Sequence, residues 1–515
     1  MKRGVLVIRA DATVTSGTGH VMRCLALAQA WQDVGGHVIF VMAQSTPAIR
    51  ERLQSEGVEM IAIEAIPGSA DDLRQTIATV ASHNFEWLVT DGYCFDSHYL
   101  AGLQSVGRLL VVDDNGELEL YPADLILNQN VHARADMYPK KSPRTRLLLG
   151  SRYALLRNEF VGYRDWARKV RGRGTRVLLT IGGSDPKDLT PRILASVATL
   201  PIDDLLIRVV VGGSAENHSA VAEQAVKFPG RVAVLSSVEN MAELMAWADI
   251  AIAGAGTTCW EMCQLGLPAI LVVVAENQRV IADHLGRLGV SINVGPSESL
   301  DYTVLAQTAL ALLENEDRRR QMSESSMQLV DGMGRERVRA ALLNRELKLR
   351  LAWLNDSRLL FEWAEDPVAR AASFRSARIS WEDHVRWFDE RLRDSRSVIY
   401  IGERSNSNEE SDGTPVGVVR FQIQDEQSDR HAVVSVNVAP ELRGEGWGRE
   451  LILFSTRALV RSRSVRWIDA FVKPENHASV RLFEESGFRR VGGEVVSGQD
   501  ALRFTWECGN RSHVD

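Results

Sequence analysis

Apolar and polar residues alternate along this chain in two different ways, and the change between them divides it. In the first part, short apolar runs recur between segments with helical spacing. Val5–Ile8, Val38–Met42, Met60–Ile63, Trp87–Thr90 and Leu109–Val112 read as strands, with Ala48–Glu56 and Asp71–Ala81 as helices among them. Strand–helix alternation of this kind predicts a parallel, doubly wound sheet. Leu125–Asn128 adds a strand, and a turn at Leu149-Gly150 closes the half. The basic, glycine-containing stretch Arg168-Lys-Val-Arg-Gly-Arg-Gly174 reads as a linker.

A second strand–helix series follows, with strands at Val177–Thr180, Leu206–Val211, Val232–Leu235, Ile250–Ala253 and Ile270–Val274. Leu305–Leu313 and Arg318–Leu329 read as closing helices, and Arg335–Leu349 leads out. After about Arg345 the order changes. Strands Lys348–Ala352 and Val398–Gly402 enclose helices Arg358–Glu365 and Trp381–Arg391. Arg404–Gly413 is polar and reads as a mobile loop. Strands Val416–Gln424 and Val433–Val438, a helix from Trp447, strand Trp467–Val472 and a helix from Ala478 follow. The predicted class is α/β: Rossmann-like domains at 1–165 and 166–344, facing each other across a cleft, then a separate α+β domain at 345–515.

Composition narrows the partners. The 515 residues suit about three domains. A hydrophobic content of 45% and a charged content of 25% are those of soluble globular proteins. The formal charge of −7 gives no reason to expect nucleic acid or an anionic membrane. No apolar run approaches the roughly 20 residues that span a bilayer, and Asp11 interrupts any signal-type apolar core early. The five cysteines are scattered: Cys259 and Cys263 can share a helix face, but nothing nearby completes a zinc set. The expectation is a cytoplasmic protein with reduced thiols and no metal. Asp113-Asp114 follows a strand and reads as turn residues rather than ligands.

Three glycine-rich turns carry the candidate chemistry. The first is Arg9-Ala-Asp-Ala-Thr-Val-Thr-Ser-Gly-Thr-Gly-His20-Val-Met-Arg23. Gly17 and Gly19 permit tight backbone close to a ligand. His20 falls in the first turn of a helix, at the carboxyl end of a strand, where open α/β sheets bind ligands. The positive helix end disfavours imidazolium there, so His20 is expected to be a neutral base. The second is Ala253-Gly-Ala-Gly-Thr-Thr-Cys-Trp-Glu261, supported on the same sheet by Gly182-Gly183-Ser184. Amides at Gly256, Thr257 and Thr258 suit phosphate oxygens, and Glu261 suits ribose hydroxyls. The third, Arg443-Gly444-Glu-Gly446-Trp447-Gly448, follows a strand and opens a helix, so its amides suit a pyrophosphate. In the same domain His384 can be a base, but a surface position fits it better; Trp381, Trp387 and Phe388 suit a core stripe or a substrate wall equally.

Several separated motifs carry a resemblance. Gly17-Thr-Gly-His20-Val-Met-Arg23-Cys-Leu, Leu148-Leu-Gly-Ser-Arg-Tyr-Ala-Leu-Leu-Arg-Asn-Glu-Phe160, Ile181-Gly-Gly-Ser-Asp185 and Ala275-Glu-Asn-Gln278 resemble the UDP-sugar hydrolases of pseudaminic acid biosynthesis over most of residues 1–340. That resemblance implies a glycosyltransferase-B-like pair of domains and removal of UDP from UDP-2,4-diacetamido-2,4,6-trideoxy-β-L-altropyranose by water. It puts the catalytic histidine on His20 and brings Asn277 and Gln278 near the sugar. Attack opposite the leaving group inverts the anomeric centre. Arg443–Gly448 together with Asn476-His-Ala-Ser479-Val-Arg-Leu-Phe483-Glu-Glu-Ser-Gly487-Phe488 resembles the general control non-repressible-5-related (GNAT) N-acetyltransferases. Trp353-Leu-Asn-Asp356 and Trp381-Glu-Asp-His384 are similar to members acting on nucleotide-linked amino sugars. This implies acetyl-CoA as cosubstrate: pyrophosphate on Arg443–Gly448, pantetheine and acetyl along Val436, Asn437 and Val438, with Asn476 alongside. Phe483 departs from the tyrosine that often protonates the leaving thiolate. The alternatives are a UDP-sugar glycosyltransferase with an appended acetyltransferase, or a nucleotide-sugar-binding scaffold.

Overall fold

The central strands of the first sheet are apolar runs buried on both faces, as a sheet covered by helices on both sides requires. The structure is a computed structural model and describes residues 4–13, 17–164, 166–170, 172–183, 185, 187–213, 215, 217–236, 238–404, 413–426, 429–463 and 465–508. It divides into two compact units, Met1–Arg339 and Ala340–Asn510.

The first unit holds two parallel sheets. In one, β1 (Val5–Ala10), β2 (His37–Met42), β3 (Glu59–Ala62), β4 (Phe85–Asp91), β5 (Leu109–Val112), β6 (Leu125–Asn128) and β7 (Arg146–Leu149) lie in the order β3-β2-β1-β4-β5-β6-β7. In the other, β8 (Arg176–Thr180), β9 (Leu206–Val211), β10 (Val232–Ser236), β11 (Ile250–Gly254), β12 (Ala269–Val273) and β13 (Ser291–Pro296) lie in the order β10-β9-β8-β11-β12-β13. Strand order reverses between β1 and β4 in the first sheet and between β8 and β11 in the second. The crevice outside those carboxyl ends is where a doubly wound sheet takes a ligand. The two Rossmann-like domains have the glycosyltransferase-B-like arrangement. The helix Gly334–Leu342 returns to the first domain, where Arg335 Nη2 meets Asp33 at 3.0 Å and Arg339 Nη1 donates to the Ala30 carbonyl at 3.4 Å.

Four details of the first unit and its exit differ from the sequence reading, and the strands Arg489–Val496 and Gln499–Glu507 lie beyond the last element it predicts. The stretch before Gly150 is a seventh strand, because Leu147 and Leu148 pair with Ile126 and Leu127, and the turn is Gly150 itself at φ 95°. β13 lacks an apolar run because it is an edge strand. The exit helix stops at Leu342; Asn344 takes φ 51° and the chain re-enters as a strand. Arg168 is not slack linker: its guanidinium donates to the carbonyls of Met245, Ala248 and Leu265 at the ends of two helices, at 2.6, 2.5 and 2.9 Å.

The second unit is one sheet of β14 (Leu347–Leu351), β15 (Ser397–Arg404), β16 (Thr414–Glu426), β17 (Asp429–Val438), β18 (Trp467–Val472), β19 (Arg489–Val496) and β20 (Gln499–Glu507), in the order β14-β15-β16-β17-β18-β20-β19. One face packs Leu451, Ile452 and Phe483; the other packs Leu360, Trp363 and Phe388. Most neighbours are antiparallel, but β17 and β18 run parallel and pair only from His431 to Val433. Beyond that point the two strands separate. Most of the expected polar loop, residues 405–412, lies outside the described residues. Among the described residues, no helix is long and apolar enough to cross a membrane, and no group of three or more histidine, cysteine or carboxylate side chains is placed to hold a metal.

Candidate active sites

His20 is the second residue of the helix Gly19–Gln32, which follows β1 through the Gly17 turn at φ 77°. Asp91, the last residue of β4, lies across the strand-order reversal and meets it: His20 Nδ1 is 2.6 Å from Asp91 Oδ1. A carboxylate only accepts, so Nδ1 carries the proton of this bond and Nε2 is left as the acceptor. Arg23, one helical turn on, donates to both Asp91 oxygens at 2.6 and 2.7 Å and to both Asp114 oxygens at 2.8 and 2.9 Å. Burial alone raises the Asp91 carboxyl, but the Arg23 charge and His20 more than offset it and hold Asp91 well below the usual carboxylate range. Asp114 is lowered in the same way, burial again being outweighed by Arg23. This network was invisible in the glycine turn alone. Asp113 and Asp114 lie in the turn just past β5, and Asp114 anchors Arg23 from there, while Asp113 accepts from Tyr138 Oη at 2.8 Å and from the Gly116 amide at 2.7 Å.

The two domains meet around this network. Tyr93 Oη donates to Asp114 at 2.9 Å and accepts from Asn277 Nδ2 at 2.9 Å. Its ring stands edge-on to His20, with centroids 4.8 Å apart. A hydrogen-bonded path therefore runs from Asn277 of the second domain to His20 of the first. Gln278 turns back to its own strand, accepting from the Val274 amide at 3.0 Å. The Gly17–Gly19 turn lies against the second sheet's switch point: a Cβ on Gly183 would come within 2.5 Å of Thr18 Oγ1, and one on Gly19 would sit 3.5 Å from Thr257 Oγ1. Glycine at 183 is a requirement of that approach. Gly256, Thr257 and Thr258 form the turn after β11 and the start of the helix Thr258–Gln264. Glu261, buried in that helix, pairs with Arg157 at 3.0 Å, and burial raises its pKa against that partner. Ser184 lies outside the described residues.

The second unit's site is mostly backbone. Past Val433, β17 no longer pairs with β18, so along Val436–Val438 the backbone groups that face that side have no ladder partner; β16 takes the other side through Val438. An extended, amide-containing ligand can complete such an edge. Next come Gly444 at φ 79° and Gly446 at φ 94°, a conformation that disfavours side chains, and then the helix Trp447–Arg463. Arg443 is tied to Asp366 at 2.6 Å. The Trp447 side chain is buried and donates to Glu445 at 3.2 Å. Gly448 lies against Leu482, and Asn476 caps the helix His477–Glu485 by accepting from the Ser479 amide at 3.1 Å. His384 is buried, not on the surface: Nε2 donates to the Ser357 carbonyl at 2.9 Å, and burial lowers its pKa. Phe483 is buried against Phe488 and Phe504.

Fold and sites together define a nucleotide-sugar glycosyltransferase-like domain joined to an acetyltransferase domain. Residues 177–335 match the glycosyltransferase family 28 C-terminal domain, and residues 360–488 match the acetyltransferase (GNAT) family. An uncharacterized protein of Methanocaldococcus jannaschii is 21% identical over 94% of this chain and 97% of its own. The spore coat polysaccharide biosynthesis protein SpsG of Bacillus subtilis is 25% identical over 65% of this chain and 96% of its own. The UDP-2,4-diacetamido-2,4,6-trideoxy-β-L-altropyranose hydrolase of Campylobacter jejuni is 24% identical over 56% of this chain and 98% of its own.

Proposed function

We propose that the chain is a bifunctional sugar-nucleotide enzyme of pseudaminic acid biosynthesis. The second unit acetylates the 4-amino group of UDP-4-amino-4,6-dideoxy-N-acetyl-β-L-altrosamine from acetyl-CoA. The first unit then hydrolyses UDP from the UDP-2,4-diacetamido-2,4,6-trideoxy-β-L-altropyranose so formed. The observation that carries the reading is the His20–Asp91 pair, 2.6 Å apart at the switch point of a sheet whose partner turns suit phosphate. The two reactions are consecutive, which is why both domains belong in one chain.

In this mechanism His20 Nε2 takes a proton from water as the oxygen attacks the anomeric carbon. Asp91 holds the tautomer and stabilises the imidazolium that forms. UDP is already a good leaving group, so amides at Gly183, Gly256, Thr257 and Thr258 suffice for its developing charge, and no metal is used. Asn277 and Gln278 lie by the sugar, Ser184 and Glu261 by the nucleotide. Attack opposite UDP inverts the anomeric centre. In the second unit, Val436–Val438 hold the pantetheine arm as an added strand, and Arg443–Gly448 hold the pyrophosphate, with Asn476 alongside.

The test is incubation of the full chain with the UDP-amino sugar and acetyl-CoA, followed by NMR of the products. The expected outcome is N-acetylation, then UDP release with inverted free sugar. UDP release only on addition of a second sugar or lipid acceptor would instead favour a glycosyltransferase, the reading that the family 28 match at 177–335 supports. Tight UDP binding without turnover would favour a scaffold.

A further inference from the structure

Arg370 and Arg420 of the second unit each hold a buried Nε with no hydrogen-bond partner, and neither has a counter-charge among the described residues. Arg420 lies mid-way along β16, pairing with Ser435 of β17. By strand alternation it shares the face of Val418, which packs with Leu360, Trp363 and Phe388. Its guanidinium stands over the Trp387 ring at 5.5 Å. Its Nε is buried with no hydrogen-bond partner. Arg370, on the helix Pro367–Ala372, has a buried, unpartnered Nε as well, and only its Nη1 is used, donating to the Ala377 carbonyl at 3.0 Å. Burial lowers the Arg420 pKa and the Arg370 charge lowers it further, so the two cations feel each other. Lys473, buried at the end of β18, donates to the Ala371 carbonyl at 3.0 Å, beside Arg370.

The carboxylates around them are engaged elsewhere. Asp366 takes Arg443 and the Ala369 amide at 2.6 and 3.0 Å. Glu365 takes the Ile379 amide at 2.9 Å, and Asp469 takes Arg503 at 2.7 Å. The covering segment Ala369–Ser380 contributes Arg370, Arg375 and Arg378 and no acidic residue. Two like charges, each with a buried, unpartnered Nε and no counter-ion among the described residues, repel one another, and buried charge is ordinarily paired. A multiply charged anion relieves the repulsion and suits the planar fork of guanidinium. The location fits an acceptor: Arg420 stands opposite Ser435, two residues past the point where β17 parts from β18.

We propose that Arg370 and Arg420 form an anion subsite on the acceptor side of the acetyltransferase, which takes the diphosphate of a nucleotide-linked amine. This rests on the reading that the unit acetylates such an amine, and it explains how the unit selects a nucleotide-linked sugar over a free one. The test uses the full chain, with the UDP-linked 4-amino sugar and the same sugar without UDP as acceptors. The wild type should prefer the UDP-linked amine. Arg370→Gln and Arg420→Gln should each raise KM for that acceptor about 10- to 100-fold, the worth of charge-assisted hydrogen bonds. KM for acetyl-CoA and UDP hydrolysis of pre-acetylated substrate should stay unchanged. Arg420 is on a central strand; if its variant fails to fold, Arg370→Gln, on a surface helix, carries the test. Equal use of both acceptors by the wild type, or a rise in the acetyl-CoA KM instead, overturns the subsite while leaving the acetyltransferase reading intact. Acetylation of neither amine overturns that reading, and the subsite with it.

Discussion

The two candidate centres are built in opposite ways. Around His20 every charge is answered: Asp91 and Asp114 surround Arg23, Tyr93 joins them, and Asn277 closes the chain from the other domain. Around the β17–β18 separation, unpaired backbone and positive-φ glycines do the work, and an aromatic ring stands where a proton donor is often found. The difference follows the chemistry. Water is a poor nucleophile and needs a base of fixed tautomer, which a low-dielectric site secures only through a fully paired network. A thiolate is a tolerable leaving group, since thiol pKa values lie near 8.5, so acetyl transfer needs position more than proton traffic.

The sharpest test of the paired centre is the base itself. His20→Asn should lower UDP release by roughly 10²–10⁴-fold while acetyl transfer stays normal. Near-normal hydrolysis would remove His20 from the mechanism.

Asp91→Asn should cost nearly as much. Arg23 presents two donors to Asp91 and will claim the one oxygen an amide retains. The amide nitrogen then faces His20 and donates to Nδ1. That drives the proton onto Nε2, the nitrogen that must accept. A double variant should therefore be hardly worse than either single one, because the pair acts as a unit. Additive losses would mean that Asp91 serves only the fold. Its contribution to stability has a definite sign. The folded carboxyl is held below its ordinary value, so the contribution is present above about pH 4 and is lost as pH falls through the folded value.

The backbone centre should fail to a different insult. Gly446→Trp puts a large side chain at φ 94°, where even a Cβ would come within 3.0 Å of Arg345 Nη1. Strain of about 1–3 kcal/mol together with the blocked loop should lower acetyl transfer about 10²-fold or more, with UDP hydrolysis untouched. Normal acetyl-CoA binding in this variant would sink the loop assignment.

The sequence disclosed these centres unevenly. Apolar runs marked the central strands of both parallel sheets, and glycine turns after β1, β8 and β11 marked the ligand crevice, because backbone constraints leave local signatures. Asp91 and Asp114 leave none. Each is an ordinary strand-end carboxylate until the fold sets it beside Arg23, 68 and 91 residues away in the chain. β13 escaped for the opposite reason: an edge strand need not be apolar. The parting of β17 from β18 is a failure of pairing, and pairing is not written in either strand alone. His384 looked like a surface residue because lone histidines usually are; its burial comes from the aromatic rings of Phe361, Trp381, Trp387 and Phe388 closing round it.

The smallest expected effect bears most directly on the contrast between the centres. If acetyl transfer needs position more than a proton donor, Phe483→Tyr should gain little. The ring is 3% exposed, 5.0 Å from Phe488 in an edge-on contact and 6.2 Å from Phe504 in a stacked one. A hydroxyl added there enters an apolar cluster and loses its water. Left without a partner, it costs about 1–3 kcal/mol. The variant should therefore unfold at a lower temperature by calorimetry, in the transition of the second unit, with acetyl transfer scarcely changed. A rise in acetyl transfer of about 10²-fold, the usual worth of a positioned acid, without loss of stability would reverse the conclusion. Proton delivery would then limit both centres, and their different construction would reflect packing history rather than chemical need.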